Sequence, residues 1–193
     1  YHKNIFYKFD IILFNSNYHK NIFENILSKP KPILKVIYHE FDNNFKNKKR
    51  VNKIQYIGLT EKSSFNTNDF KKYKVDIVNE NYYKNVKTCI HFDFLLNDHS
   101  YYNIHTSTKL GTALATNSIF ITNKIPVHEE ILGSDYDLYI NDDLSNIRYI
   151  INKAKKILLN DKLYKDYLNK MKKYKELLKP ENISKKLIDI CKL

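Results

Sequence analysis

"HTSTKLGTALATNSIFITNKIPVHEEIL", residues 105–132, reads as a helix, a strand and a second helix in one short run. The middle segment, "SIFIT" (118–122), is apolar nearly throughout, as a strand covered on both faces should be. Before it, hydroxyls at Thr106, Ser107 and Thr108 precede the small-residue run "KLGTALA", and a helix is expected to begin near Ser107. After it, Pro126 suits a helix start. Glu129 and Glu130 then fall in the first turns, where acidic side chains complement the helix dipole.

Working outward, the same alternation recurs. Candidate strands are "FDIILFNS" (9–16), "ILKVIYHE" (33–40), "KIQYIG" (53–58), "VDIVN" (75–79), "TCIHFDF" (88–94), "SIFIT" and "YDLYI" (136–140). Between the first two, "NYHKNIFENILSK" puts Ile22, Phe23, Ile26 and Leu27 on one helical face before "PKP" stops it. The polar, aperiodic "FDNNFKNKKRVN" (41–52) is the candidate linker. From 142 onward the chain is expected to be helical. Asp142 or Asp143 would cap a helix whose apolar stripe is Ile147, Ile150, Ile151, Ala154, Ile157 and Leu158, with Lys-rich helices near 161–178 and 181–192. This pattern predicts an α/β fold, a Rossmann-like doubly wound parallel sheet with helices on both faces and a helical carboxyl-terminal segment. Such folds bind ligands outside the carboxyl ends of their strands, which directs attention to the loops after Gly58, Asp93 and Thr122.

Composition narrows the class. The 193 residues are 42% hydrophobic and 14% aromatic, enough to pack a core against a charged fraction of 28%. No apolar run approaches the roughly 20 residues of a membrane-spanning helix, and a cytoplasmic protein is expected. Cys89 and Cys191 lie far apart without a metal-ligand neighbour, as reduced thiols would. The net charge of +12 comes from lysines spread along the whole chain, while Arg50 and Arg148 are its only arginines. A clustered, Arg-bearing footprint is what nucleic-acid recognition ordinarily uses, so the charge is read as general bias before it is read as a nucleic-acid surface. The chain begins at Tyr1 rather than Met, and a piece of a longer protein is expected.

Several chemistries lack their signatures. With three glycines the chain carries neither GxGxxG nor GxxxxGK[ST], and it has no GxSxG elbow and no HExxH spacing. His99 and His105 form only a loose couple, so no metal site is expected. His91 and Asp93 would share one side of a strand as a polar pair at its end. The run around Ser107 has two readings. As a site, a helix amino terminus with hydroxyls at Thr106, Ser107 and Thr108 and the charge of Lys109 would cradle a diphosphate. As plain structure, Ser107 or Thr106 caps the helix, Lys109 is solvated, and the small residues allow close packing on the sheet.

The order of these pieces resembles the carboxyl-terminal half of a glycosyltransferase with two facing Rossmann-like domains, the GT-B architecture of group 1 type. In that family a strand and loop lead into a helix reading roughly P-x-K-x-x-E-A-x-A-x-G, then a strand, then P-x-x-x-E. Here "STKLGTALATNSIFITNKIPVHEEIL" follows in register. The resemblance implies that Ser107, Thr108 and Lys109 bind the donor diphosphate, that Thr112 occupies the donor ribose position, and that Gly58, His105 and Asn123 lie in donor-side loops. It implies residues 1–44 as the end of an acceptor-side domain with its hinge, and 45–193 as the donor-side domain with its terminal helices. Two departures stand out. Thr112 replaces a glutamate that hydrogen-bonds the ribose hydroxyls, and Asn117 replaces a glycine. The preceding loop offers Asp98, His99 and His105 but no glutamate.

The activity so implied is metal-independent transfer of a sugar from a nucleotide diphosphate sugar to a hydroxyl of a glycan, lipid or protein acceptor. No cofactor is needed beyond the donor substrate. Peripheral contact of the Lys-rich helices with an anionic membrane is a further expectation. Two rivals come from other classes: a noncatalytic or degenerate Rossmann-like binding module, and a basic nucleic-acid-binding protein.

Overall fold

All five residues of Thr88–Phe92 and of Ile119–Asn123 are buried, the burial pattern of strands with helices on both faces. The computed structural model describes residues 3–27, 32–40, 45, 49–58, 65–79, 82–95 and 108–192. In chain order its strands are β1 (Ile11–Phe14), β2 (Ile33–Val36), β3 (Arg50–Ile57), β4 (Val75–Val78), β5 (Thr88–Phe92), β6 (Ile119–Asn123) and β7 (Tyr139–Ile140). Its helices are α1 (Asn17–Ile26), α2 (Thr67–Lys72), α3 (Tyr82–Asn85), α4 (Thr108–Ala115), α5 (Pro126–Leu132), α6 (Ile147–Leu159), α7 (Asp161–Leu177) and α8 (Pro180–Cys191).

β3 to β7 form a five-stranded, wholly parallel sheet in the order β4-β3-β5-β6-β7. Register aligns Val75, Ile54, Ile90 and Ile119 in one row across four strands. The fold is therefore α/β with a Rossmann-like parallel sheet and a helical carboxyl-terminal segment. After β3 the chain steps outward to β4, then returns past β3 to lay down β5 and continues the other way. In parallel sheets the point where strand order reverses, here between the carboxyl ends of β3 and β5, is where a ligand crevice is expected.

An aromatic cluster fills one layer of the core. Phe65 lies 4.8 Å from Phe92 and 5.3 Å from Phe94 between ring centroids, and Tyr56 packs 5.1 Å from Phe70. On α6, Ile147, Ile150, Ile151, Ala154 and Leu158 are buried and Ile157 is half-buried, so the expected stripe faces the sheet. β7 spans two residues only. Beside it, Tyr167 and Tyr136 take the backbone of Phe120: its N–H donates to the Tyr167 hydroxyl at 3.1 Å and its carbonyl accepts from the Tyr136 hydroxyl at 2.6 Å.

Four local expectations need correction. Neither Asp142 nor Asp143 caps α6, whose N-cap position belongs to Asn146. Asp143 instead accepts from the Ser145 N–H, a local turn that competes with capping. The proposed linker is not wholly irregular, because β3 starts at Arg50 and Phe45 is 1% exposed. No residue of α1 is buried. Of the expected face, Phe23 packs against Phe14 and Leu27, just past the end of the helix, is buried, whereas Ile22 and Ile26 face outward. Glu130, finally, does not serve its own helix. Its carboxylate accepts from the Asn17 backbone N–H at 2.9 Å, from the Asn17 side chain and from the Tyr38 hydroxyl, capping α1 from α5. Glu129 alone occupies the acidic place in the first turn of α5.

Candidate functional site

The carboxyl ends of β3 and β5 bring together Tyr56, Gly58, Asp93 and Lys109. β3 ends at Ile57, and Gly58 turns the chain away with φ +124°, a backbone region that side chains rarely adopt. α4 begins at the same edge, and its second residue, Lys109, is held there. A Cβ at Gly58 would sit 3.8 Å from the Lys109 Cε. The ammonium donates to Asp93 Oδ1 at 2.7 Å and lies 4.5 Å from the centre of the Tyr56 ring.

Asp93 follows β5 directly and is 4% exposed. Its second oxygen is 3.9 Å from Nε2 of His128 on α5, and His128 Nδ1 is 2.7 Å from the Thr122 hydroxyl. Burial works against the charge of Lys109, but the Asp93 carboxylate and then Tyr56 outweigh it and raise the lysine's pKa. Burial pushes His128 down to about 4; Asp93 pulls it up and Lys109 pushes it further down. At neutral pH the imidazole is uncharged, and the crevice holds a matched Asp–Lys pair backed by a neutral histidine.

Of the residues singled out from sequence, Lys109 and Gly58 meet at this crevice. Thr108 is the first residue of α4 and is exposed. Thr112, half-buried, donates its hydroxyl to the Thr108 carbonyl at 3.1 Å, a bond within the helix. Asn123 is fully buried. Its amide nitrogen donates to the Leu95 carbonyl and to Asp142 at 2.9 Å, while its oxygen accepts from the Leu95 N–H at 3.1 Å. It thus ties the start of the β5–α4 connection to the β7–α6 turn. Ser107, His105, Asp98 and His99 lie outside the described residues.

His91 and Asp93 do not form the expected pair. His91 turns toward the amino end of the sheet, with Nε2 3.0 Å from the Lys87 carbonyl and 3.1 Å from the Ser118 hydroxyl, while Asp93 turns to Lys109. Sequence reasoning missed Tyr56 and His128 entirely and saw Asp93 only as a partner for His91. Among the described residues, no group of three His, Cys, Asp or Glu side chains is placed to hold a metal ion.

The class defined by fold and crevice is a parallel α/β protein with a charged switch point. Beyond that class, the chain matches no protein-family model and no curated protein sequence.

Proposed function

We propose that the chain is the donor-binding half of a two-domain glycosyltransferase of GT-B architecture, taking a nucleotide diphosphate sugar at the carboxyl ends of β3 and β5. The observation that carries this reading is the delivery of Lys109 from α4 to Gly58 and Asp93 at the point where strand order reverses. An ammonium there, beside the amino-terminal turn of α4, would stabilise the charge that builds on a departing diphosphate. The lysine performs the part a metal ion plays elsewhere, so the proposed transfer is metal-independent. The β1–α1–β2 unit is then the end of an acceptor-side domain, and the base that activates the acceptor hydroxyl belongs to that side.

Calorimetry of the full chain with uridine, guanosine and adenosine diphosphate sugars tests the reading. Saturable binding to one nucleotide class is expected. Lys109→Ala should weaken it, and lower turnover by about 10- to 1000-fold wherever turnover is measured, the range for losing one charge-stabilising donor. No binding by the folded protein would overturn the reading.

One observation favours a noncatalytic module instead. The Thr112 hydroxyl is spent on the helix backbone, so the ribose position presents neither a carboxylate nor a committed donor. A nucleotide panel that leaves the folded chain untouched would support that alternative.

A further inference from the structure

The Asp93–Lys109 pair poses a problem of charge within the crevice. Lys109 reaches the crevice already matched by a carboxylate 2.7 Å away, with Tyr56 against another side of the ammonium. An ammonium has three N–H donors, so an arriving anion can still be met by one of them. Drawing Lys109 off Asp93 altogether would strand a buried carboxylate, which is strongly unfavourable. The anion must therefore join the pair and sit within a few ångströms of a second negative charge, in surroundings where like charges repel far more than in water. His128 faces the other Asp93 oxygen at 3.9 Å and, being neutral, adds no compensating charge.

We propose that Asp93 sets the affinity of the crevice: by matching Lys109 it keeps a diphosphate weakly held and readily released. This rests on the reading of the crevice as a diphosphate site. Asp93 acts through Lys109, so it is a positioning residue and not a catalytic one. Its removal should have a signature opposite to that of an ordinary structural loss, because the amide of Asp93→Asn can still accept from Lys109 while the repelling charge is gone.

The test is calorimetric titration of inorganic pyrophosphate, without divalent metal, into the full chain and into the Asp93→Asn, Asp93→Glu and Lys109→Met variants. Asp93→Asn is expected to bind about 10- to 100-fold more tightly than wild type, as loss of one close like charge implies. Asp93→Glu should stay near wild type and Lys109→Met should lose binding. Circular dichroism establishes folding; should the asparagine variant not fold, Asp93→Ser takes its place with the same expectation. Equal or weaker binding by the uncharged variant overturns the proposal, and if wild type still binds a nucleotide sugar the donor reading survives. Tighter pyrophosphate binding by Asp93→Asn in a protein whose wild type ignores every nucleotide sugar upholds the role of Asp93 and sinks the donor reading. Absence of pyrophosphate binding in all four proteins overturns the proposal, and the nucleotide-sugar titration alone then decides the donor reading.

Discussion

His91 and His128 are each 1% exposed, and burial pushes both down to about 4 from an ordinary value of 6.5. The unfolded chain accepts protons at these positions as pH falls below 6.5, whereas the folded chain resists until about 4. Their contribution is whole above pH 6.5 and drains away toward pH 4, by roughly 3 kcal/mol for each histidine at about 1.4 kcal/mol per pKa unit. Urea unfolding midpoints should therefore drop on going from neutral to mildly acidic buffer. Replacing His91 by Gln should flatten that slope; an unaltered slope would show that His91 titrates as it does in water. Among the described residues the Nδ1 atom of His91 has no hydrogen-bond partner, which suits an unprotonated nitrogen and adds to the resistance.

At the level of elements, the abrupt end of the sheet has a specific remedy. A longer β7 would pair with Phe120. Instead two phenols from different elements, Tyr136 ahead of β7 and Tyr167 on α7, hold its N–H and carbonyl and lie 3.1 Å from each other. Tyr167→Phe strands a buried N–H and should cost about 1–3 kcal/mol in chemical denaturation. Tyr136→Phe should cost a similar amount through the carbonyl, and because the hydroxyls touch, the double variant should depart from the sum of the two. A second element-level device is Glu130, which lets α5 cap α1 across more than a hundred residues of chain. Glu130→Ala should cost about 1 kcal/mol, the usual worth of a helix cap. Hydrogen exchange should quicken in α1 while β5 and β6 stay protected; uniform change across both sheets would contradict a local cap.

Across the whole molecule, what could be read in advance follows from how much each segment's own residues decide. All seven strand assignments are met by a strand because each run is rich in Ile, Val, Phe or Tyr, and α6 was legible from thirteen residues of unbroken periodicity. α2 was not. It is six residues long with Phe70 as its buried anchor, too short to show a period, although Asn66 and Asp69 form a capping box that spelled its start. The crevice was half legible: Lys109 stood out beside small residues, whereas its partner lies 16 positions away and is brought to it only by the sheet order. His128 gave no signal, since a histidine inside a good helix looks the same whether it faces solvent or a buried carboxylate. The β1–α1–β2 unit leaves Phe9, Leu13, Ile26 and Ile33 about half exposed, a density of apolar surface that favours association. Sedimentation at rising protein concentration should show self-association that Leu13→Lys reduces. No described helix is long and apolar enough to cross a membrane.

The strand order also has a consequence in time. β3 pairs with β4 on one edge and β5 on the other, yet both partners are translated after it. At synthesis rates of about 5–20 residues per second, "IQYI" waits a second or more on the ribosome with both edges open. Arg50 and Lys53 sit exposed at the strand's polar end, and charges so placed discourage an open strand from pairing with another chain.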